Sequence, residues 1–270
     1  YVQVQYTKEE LTKEEYVERF LEASKTRSSL GRPEGYGYDI PAPSRPEQGH
    51  KPNRLSIGVG YRAWDDLEEG SLYQEIRFRP TYHDLLDSDK GYSRGAQIEF
   101  FSGALRYYDS TDKVELERLD LVNIVSLAPR NRFFKPTSWK VNTGLKQADL
   151  PGGDSTLVYS LNLGGGLCYD NRILGLCYGM FETEIALGGG LSNAHSIGFG
   201  GALGILRKIT EAWKFQLLFR PFYFVLGEQY ESLEWAFLQQ YAILSNMAFS
   251  LELTGKEAQG LYQTEAGALL

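Results

Sequence analysis

From residue 54 onward, apolar and polar side chains alternate in ~10-residue segments broken by turn residues. This predicts an all-β protein, and more narrowly an antiparallel transmembrane β-barrel of about 12 strands, preceded by a short N-terminal helix and a Pro/Gly-rich linker. Three observations carry the prediction. Trp213, Phe215, Leu217 and Phe219 interleave with Lys214, Gln216, Leu218 and Arg220, so one strand face is apolar and the other largely polar. The polar faces of successive strands carry charge (Arg54, Arg62, Glu75, Arg77, Arg79, Arg118, Asp120, Lys140, Lys146, Lys214, Arg220, Glu252) beside a nearly continuous apolar face with aromatics near strand ends. No run approaches the ~18–20 apolar residues of a membrane helix, and a mean hydropathy of −0.34 with 42% apolar residues is what alternation produces. A soluble β-sandwich also alternates. The continuous apolar face and the charged opposite face favour lipid outside and ions inside.

The segment 1–53 differs from the rest. Tyr1-Val-Gln-Val-Gln-Tyr6 reads as strand-like rather than as a basic region followed by an apolar core, so no signal peptide is visible. A barrel must be exported, and the chain is therefore expected to be a mature or trimmed C-terminal piece of something longer. Thr12 and Glu15 form a capping box, and Tyr16, Val17, Phe20 and Leu21 recur at helical spacing, predicting a helix over 13–26 that packs on a periplasmic neighbour. The helix's other face is acidic, which disfavours an interfacial membrane helix. Residues 31–53, with Pro33, Pro41, Pro43, Pro46 and Pro52 among several glycines, read as a linker.

Strands follow over the barrel region 54–270. Leu55, Ile57, Val59 and Tyr61 open the first; Ile76 and Phe78 mark the second. A strand near 95–108 has a predicted bulge at Ser102-Gly103, and its partner at 113–127 places Leu119, Leu121, Val125 and Leu127 on one face. Later strands centre on Val141, Leu161, Leu176, Phe199, Leu217, Phe237 and Leu251, with a weaker last stretch at 258–269. Pro221 implies a bulge near the membrane boundary. An even strand number suits a bacterial barrel. With the N-terminus periplasmic, the connections at 64–70, 109–112, 147–154, 187–195, 227–230 and 254–257 face outward, and those at 80–94, 128–136, 170–171, 209–211 and 243–245 face the periplasm.

A two-residue turn at Asp170–Asn171 would leave Cys168 and Cys177 roughly 13 Å out of register, while a longer turn could bring them level, so a disulfide stays open. His50, His83 and His195 are scattered, so no metal site is expected. Gly164-Gly-Gly166 and Gly188-Gly-Gly190 precede no helix and carry no Lys-Ser/Thr pair, so they are not phosphate loops. The net charge of −7 argues against a nucleic-acid partner.

Several stretches resemble a known family: Arg79-Pro-Thr-Tyr-His-Asp-Leu-Leu-Asp87, Gly91-Tyr-Ser-Arg-Gly-Ala-Gln-Ile-Glu99, Leu116-Glu-Arg-Leu-Asp-Leu121, Ile124-Val-Ser-Leu-Ala-Pro-Arg130 and Phe133-Phe-Lys-Pro-Thr-Ser-Trp-Lys140. They look like the C-terminal region of a Gram-negative envelope family whose N-terminal periplasmic domain resembles lipoprotein N-acyltransferase, an intramolecular transacylase of papain-like ancestry. The resemblance is strongest over about 49–141. It implies that this chain lacks the catalytic domain, and no Cys/His nucleophile can be carried over to it.

The site expectations follow. Arg54, Glu75, Arg77, Arg79, Arg118, Asp120 and Lys140 form a charge network that fills a closed lumen; alternatively the basic members, Arg54, Arg77, Arg79, Arg118 and Lys140, select anions in a pore. His83 and Asp84 on 80–94, and Arg130, Arg132 and Lys135 on 128–136, mark periplasmic loops that either dock a periplasmic domain or plug the rim. No catalytic, cofactor or metal site is expected. The expected partners are outer-membrane lipid and a periplasmic domain, its own or another protein's, with the chain in the outer membrane of a Gram-negative bacterium. The leading function is a non-enzymatic anchor for that domain. The alternatives are a small-solute, anion-preferring pore and a lipid-modifying enzyme at the barrel rim.

Overall fold

A computed structural model describes residues 1–31, 42, 44–64, 70–149, 155–191, 193–258 and 260–270. The chain divides into two units, Tyr1–Pro43 and Ser44–Leu270. Residues 32–41 and 43 of the Pro/Gly-rich segment, and residues 65–69 and 150–154 of two connections, lie outside the described residues. Residues 44–53 go with the barrel, so the boundary falls about ten residues earlier than the composition suggests. The reason is local: the Tyr92 hydroxyl donates to the His50 carbonyl at 3.2 Å.

In the first unit, α1 (Val2–Thr7) replaces the expected strand. An unpaired strand would leave its backbone groups without partners, whereas a helix bonds its own. Tyr6 stacks on Tyr16 at 4.5 Å, fixing α1 against α2. Helix α2 (Lys13–Ser29) carries the capping box of Thr12 and Glu15 and runs three residues beyond the expected end. Gly31, at φ 66°, takes the left-handed position just after it. Val17, Phe20 and Leu21 stay about half exposed within this unit.

The second unit is a closed barrel. Its strands are β1 (Arg54–Trp64), β2 (Ser71–Arg79), β3 (Ala96–Tyr108), β4 (Lys113–Ser126), β6 (Ser138–Asp149), β7 (Ser155–Asn171), β8 (Gly175–Leu187), β9 (His195–Lys208), β10 (Trp213–Gly227), β11 (Tyr230–Leu244), β12 (Met247–Ala258) and β13 (Leu261–Leu269). Each pairs antiparallel with its sequence neighbours, and β1 pairs with β13 to close the ring. A two-residue strand, β5 (Pro129–Arg130), adds a parallel bridge to β7. Closure leaves no open edge, as hydrocarbon requires. In the described residues no helix is long and apolar enough to cross a membrane.

The barrel is inside-out relative to a soluble protein. Leu55 is 72% exposed and Leu203 61%, whereas Glu75 is 3%, Arg106 5% and Glu182 1% exposed. Leu217 and Phe249 also point outward, and the Arg77 and Lys140 side chains are largely covered. Apolar side chains cover a wall that only lipid can solvate, and ionic ones are gathered within it. This is the arrangement of an outer-membrane barrel. Leu203→Arg, on the outer face near the middle of β9, is expected to destabilise the barrel by about 2–4 kcal/mol. Urea unfolding in phospholipid vesicles checks this against Leu203→Ile, which should cost little.

Several local expectations are corrected. The irregularity in β3 falls at Phe101 (φ 54°) and between Ala104 and Leu105 rather than at Ser102-Gly103. A register shift between Asp120 and Val122 breaks the expected common face of β4, and Val125 and Leu127 pack inside. Pro221 causes no shift: its pairing with Leu233 is continuous, and the bulge lies at Phe224/Leu226. Proline removes one ladder hydrogen bond without requiring an extra residue. β12 continues to Ala258, past the expected turn at 254–257. The turn after β7 is 172–174, closed by Asn171 Oδ1 accepting from the Ile173 and Leu174 amides at 2.8 and 3.0 Å. In this register Cys168 faces Tyr178 and Cys177 faces Tyr169. The two thiols therefore project to opposite sides of the sheet, and both are free.

Candidate functional site

The site lies in the lumen, at the barrel end where β1 begins and β13 ends. Pro80 lacks the amide that would extend the β2 ladder, and the chain turns inward. His83 re-pairs with Ile98 through backbone bonds of 3.1 and 2.9 Å. Asp84 Oδ1 accepts from the Leu86 amide at 2.7 Å, and Asp87 Oδ2 accepts from the Asp84 amide at 3.1 Å, so the tip 84–87 is a self-bonded turn. Gly95, at φ 76°, lets the loop rejoin β3: a Cβ there would lie 2.7 Å from the Leu127 carbonyl oxygen.

This loop crosses the lumen from β2 to the opposite wall. Leu85 is buried with Leu127, Cys168, Leu176, Tyr178, Met180, Ala202 and Leu206, and Leu86 and Leu218 pack beside them. Asp87 is held by Arg54 and Arg79, each at 2.6 Å, and by the Gln240 amide at 3.0 Å. Burial pushes the Asp87 carboxyl upward, but Arg79 and Arg54 outweigh it and hold the group well below the usual carboxylate range. Burial holds His83 neutral, pushing its pKa down to about 4 against the pull of Asp87. Lys214, from β10, donates to the Leu85 carbonyl at 3.2 Å, to the Asp87 carbonyl, and to Asp89 Oδ1 at 2.6 Å. Beyond its single backbone bridge to β3, the loop is thus fastened to β1, β2, β10 and β11 by side-chain contacts.

Beyond the loop, ion pairs join the walls. Arg62 meets Glu117 at 2.8 Å and also pairs with Glu265. Arg106 reaches Glu265 at 3.1 Å and Glu75 at 2.5 Å, with its guanidinium 4.2 Å from the Tyr73 ring centre. Arg77 pairs with Glu75 and makes two bonds of 2.6 Å to Glu252, three strands away. Arg220 joins Glu182 at 2.8 Å and Glu234 at 2.6 Å, and Lys140 joins Glu182 at 3.1 Å. Asp120 accepts from Asn142 at 2.8 Å and lies 3.6 Å from Arg118. A cavity of about 380 Å³ lies among these groups, lined by Glu75, Arg77, Glu99, Arg118 and Glu252, with Asp84 and Leu86 of the loop on its border.

The seven residues expected in the lumen network (Arg54, Glu75, Arg77, Arg79, Arg118, Asp120 and Lys140) are all ion-paired here, Arg54 and Arg79 through the loop. Parity from the apolar face also points to Arg62, Arg106, Glu182, Glu234 and Glu265, which the site expectation omitted; Glu117 turns inward only because the register shifts beside it. Of the expected docking residues, His83 is 3% exposed and belongs to the plug. Asp84 is part-exposed and borders the cavity. Arg130 is part-exposed in β5, and Arg132 and Lys135 are exposed on the β4–β6 connection. His50 and His83, thought too scattered to meet, lie with their ring nitrogens 2.8 Å apart.

The fold and lumen define a transmembrane β-barrel whose interior is crossed by an inward-folded loop. Residues 43–270 match the family described as "Domain of unknown function (DUF7840)", and the chain belongs to that family. No curated protein matches it. Among solved structures it is similar to the KdgM porin, at 10% identity and TM-score 0.38 over 79% of this chain and 97% of that one. It is also similar to a loop-deleted OmpT, an outer membrane protein of Vibrio cholerae (7% identity, TM-score 0.35, 81% and 99% covered). A third similarity is to the outer membrane channel DcaP of Acinetobacter baumannii (9% identity, TM-score 0.31, 84% and 99% covered).

Proposed function

We propose that the barrel is a gated conduit for small polar solutes across the outer membrane, closed at rest by the β2–β3 loop (residues 80–95). The observation that supports this most directly is the means of closure. The loop is fixed by Asp87, Lys214 and a small apolar cluster, contacts that can break without opening the barrel wall. The polar cavity behind it is large enough for several waters or a small solute. The lumen arginines are matched by carboxylates, so a strong preference for anions does not follow. The test replaces residues 82–94 with a short Gly/Ser turn and measures swelling of proteoliposomes in small sugars and amino acids. Swelling several-fold faster than with the intact chain is expected. Equal, slow swelling by a correctly folded barrel would reject the conduit.

A second reading, an anchor for a periplasmic domain of the lipoprotein N-acyltransferase type, is supported by the separate unit Tyr1–Pro43. The half-exposed Val17, Phe20 and Leu21 on α2 form an apolar face there. Arg132 and Lys135 on the β4–β6 connection are the remaining docking candidates under this reading. A barrel that stays sealed after loop removal is the outcome that favours it.

A further inference from the structure

His50 precedes β1, and His83 and Asp87 lie on the β2–β3 loop, yet their side chains converge. His50 Nε2 is 2.8 Å from His83 Nδ1, and Asp87 Oδ2 is 3.7 Å from the first and 4.0 Å from the second. The point equidistant from these three atoms is ~2.1 Å from each, the length of a zinc–nitrogen or zinc–oxygen bond. We propose that His50, His83 and Asp87 bind one first-row transition-metal ion of the zinc class, which clasps the β2–β3 loop to the segment leading into β1.

The surroundings prepare the donors. His50 Nδ1 lies 2.8 Å from the Lys51 carbonyl oxygen. A carbonyl only accepts, so Nδ1 carries the proton and Nε2 presents its lone pair to the site, the arrangement that orients metal-binding histidines. The Tyr92 ring stacks on His50 at 4.5 Å and on His83 at 4.4 Å, holding both imidazoles in place. The His83 backbone is fixed by its two bonds to Ile98. Two nitrogens and one oxygen select zinc, copper or nickel over calcium or magnesium, which require oxygen donors. A metal at Asp87 Oδ2 displaces Arg79, which has Glu99 at 3.6 Å as another partner, while Arg54 keeps Oδ1 at 2.6 Å. A cavity of about 440 Å³ lined by His50, Arg54, Asp87 and Lys90 gives access and room for a water as a further ligand.

The test uses the full chain in detergent, stripped with a chelator and titrated with zinc chloride against a chromophoric competitor. One zinc per chain is expected, bound at micromolar affinity or tighter, with His50→Gln and His83→Gln each weakening it about 100-fold. His195→Gln, on β9, should leave binding unchanged. Heat-modifiable migration confirms that each variant is folded. Cobalt(II) added to the unmodified chain supplies a readout independent of any variant: d–d bands without thiolate charge transfer are expected. Absence of stoichiometric binding, an affinity in either histidine variant equal to that of the unmodified chain, or thiolate bands from Cys168 or Cys177 would overturn the proposal. None of these readouts depends on whether the barrel conducts.

Discussion

Asp87→Ala is expected to convert a closed barrel into a conducting one. Arg54 and Arg79 each lie 2.6 Å from this carboxylate, and Gln240 adds a third bond at 3.0 Å. Removing it leaves two guanidiniums facing each other in a covered site, Arg79 with Glu99 at 3.6 Å and Arg54 with Gln240 Oε1 at 2.6 Å. Breaking a buried pair in this way costs about 3–5 kcal/mol, because the surviving charge keeps its desolvation penalty without its partner. The wall strands keep their ladders, so the loss falls on the loop. What remains is the Leu85 cluster, the Lys214 contacts with the Leu85 and Asp87 carbonyls and Asp89, and the His83–Ile98 bridge at the loop's base, and these are expected to be too few to keep its tip in the lumen. Planar-bilayer recording should show long-lived openings in Asp87→Ala that are rare in the parent chain. Asp87→Asn, which keeps the Gln240 partner and loses the charge, should fall between them. A variant as silent as the parent would mean that the loop is held by its apolar cluster.

Arg220→Ala is expected to cost about 3–5 kcal/mol of barrel stability, the largest loss among the lumen charges. Arg220 bridges Glu182 on β8, at 2.8 Å, and Glu234 on β11, at 2.6 Å, so it ties wall strands together. Lys140, 3.1 Å from Glu182, compensates that carboxylate after the change. Glu234 is left with Lys256, opposite it in the β11–β12 register. Arg118→Ala is the contrast: its side chain is 44% exposed and 3.6 Å from Asp120, which also has Asn142. A partly solvated pair of that kind contributes about 0–1 kcal/mol. Urea unfolding of the two variants in the same lipid should separate them clearly. Equal losses would mean that water fills the lumen and screens both sites alike.

The wall of the barrel was legible in the sequence because a half-buried strand writes its environment every second residue. Parity from Leu55, Ile76 and Trp139 on their own strands assigns Arg54, Arg77 and Lys140 to the inside. What failed was parity across irregularities: the shift at Asp120/Val122 turns Val125 and Leu127 inward, and no turn residue announces it. The helix at Val2–Thr7 was missed because six residues of Val, Gln and Tyr satisfy a strand pattern, and only contact with Tyr16 decides otherwise. The loop was recognised as unusually long and charged, but its direction was not. A sequence such as Asp84-Leu-Leu-Asp87 fits a docking surface or a plug equally well. Which one forms depends on Lys214 and Gln240, more than a hundred residues away. The meeting of His50 and His83 was invisible for the same reason, since separation along the chain says nothing about separation across a barrel end.

The central claim is that the apolar strand faces meet lipid while the ionic faces line the interior. Spin labels at positions 216 to 219 of β10, one at a time and with Cys168 and Cys177 replaced, test it most directly through collision with oxygen and with a water-soluble nickel complex. Labels at 217 and 219 should collide readily with lipid-dissolved oxygen and scarcely with nickel, and labels at 216 and 218 should not share that signature. Free access of nickel to 217 and 219, with oxygen-rich lipid at 216 and 218 instead, would contradict the account.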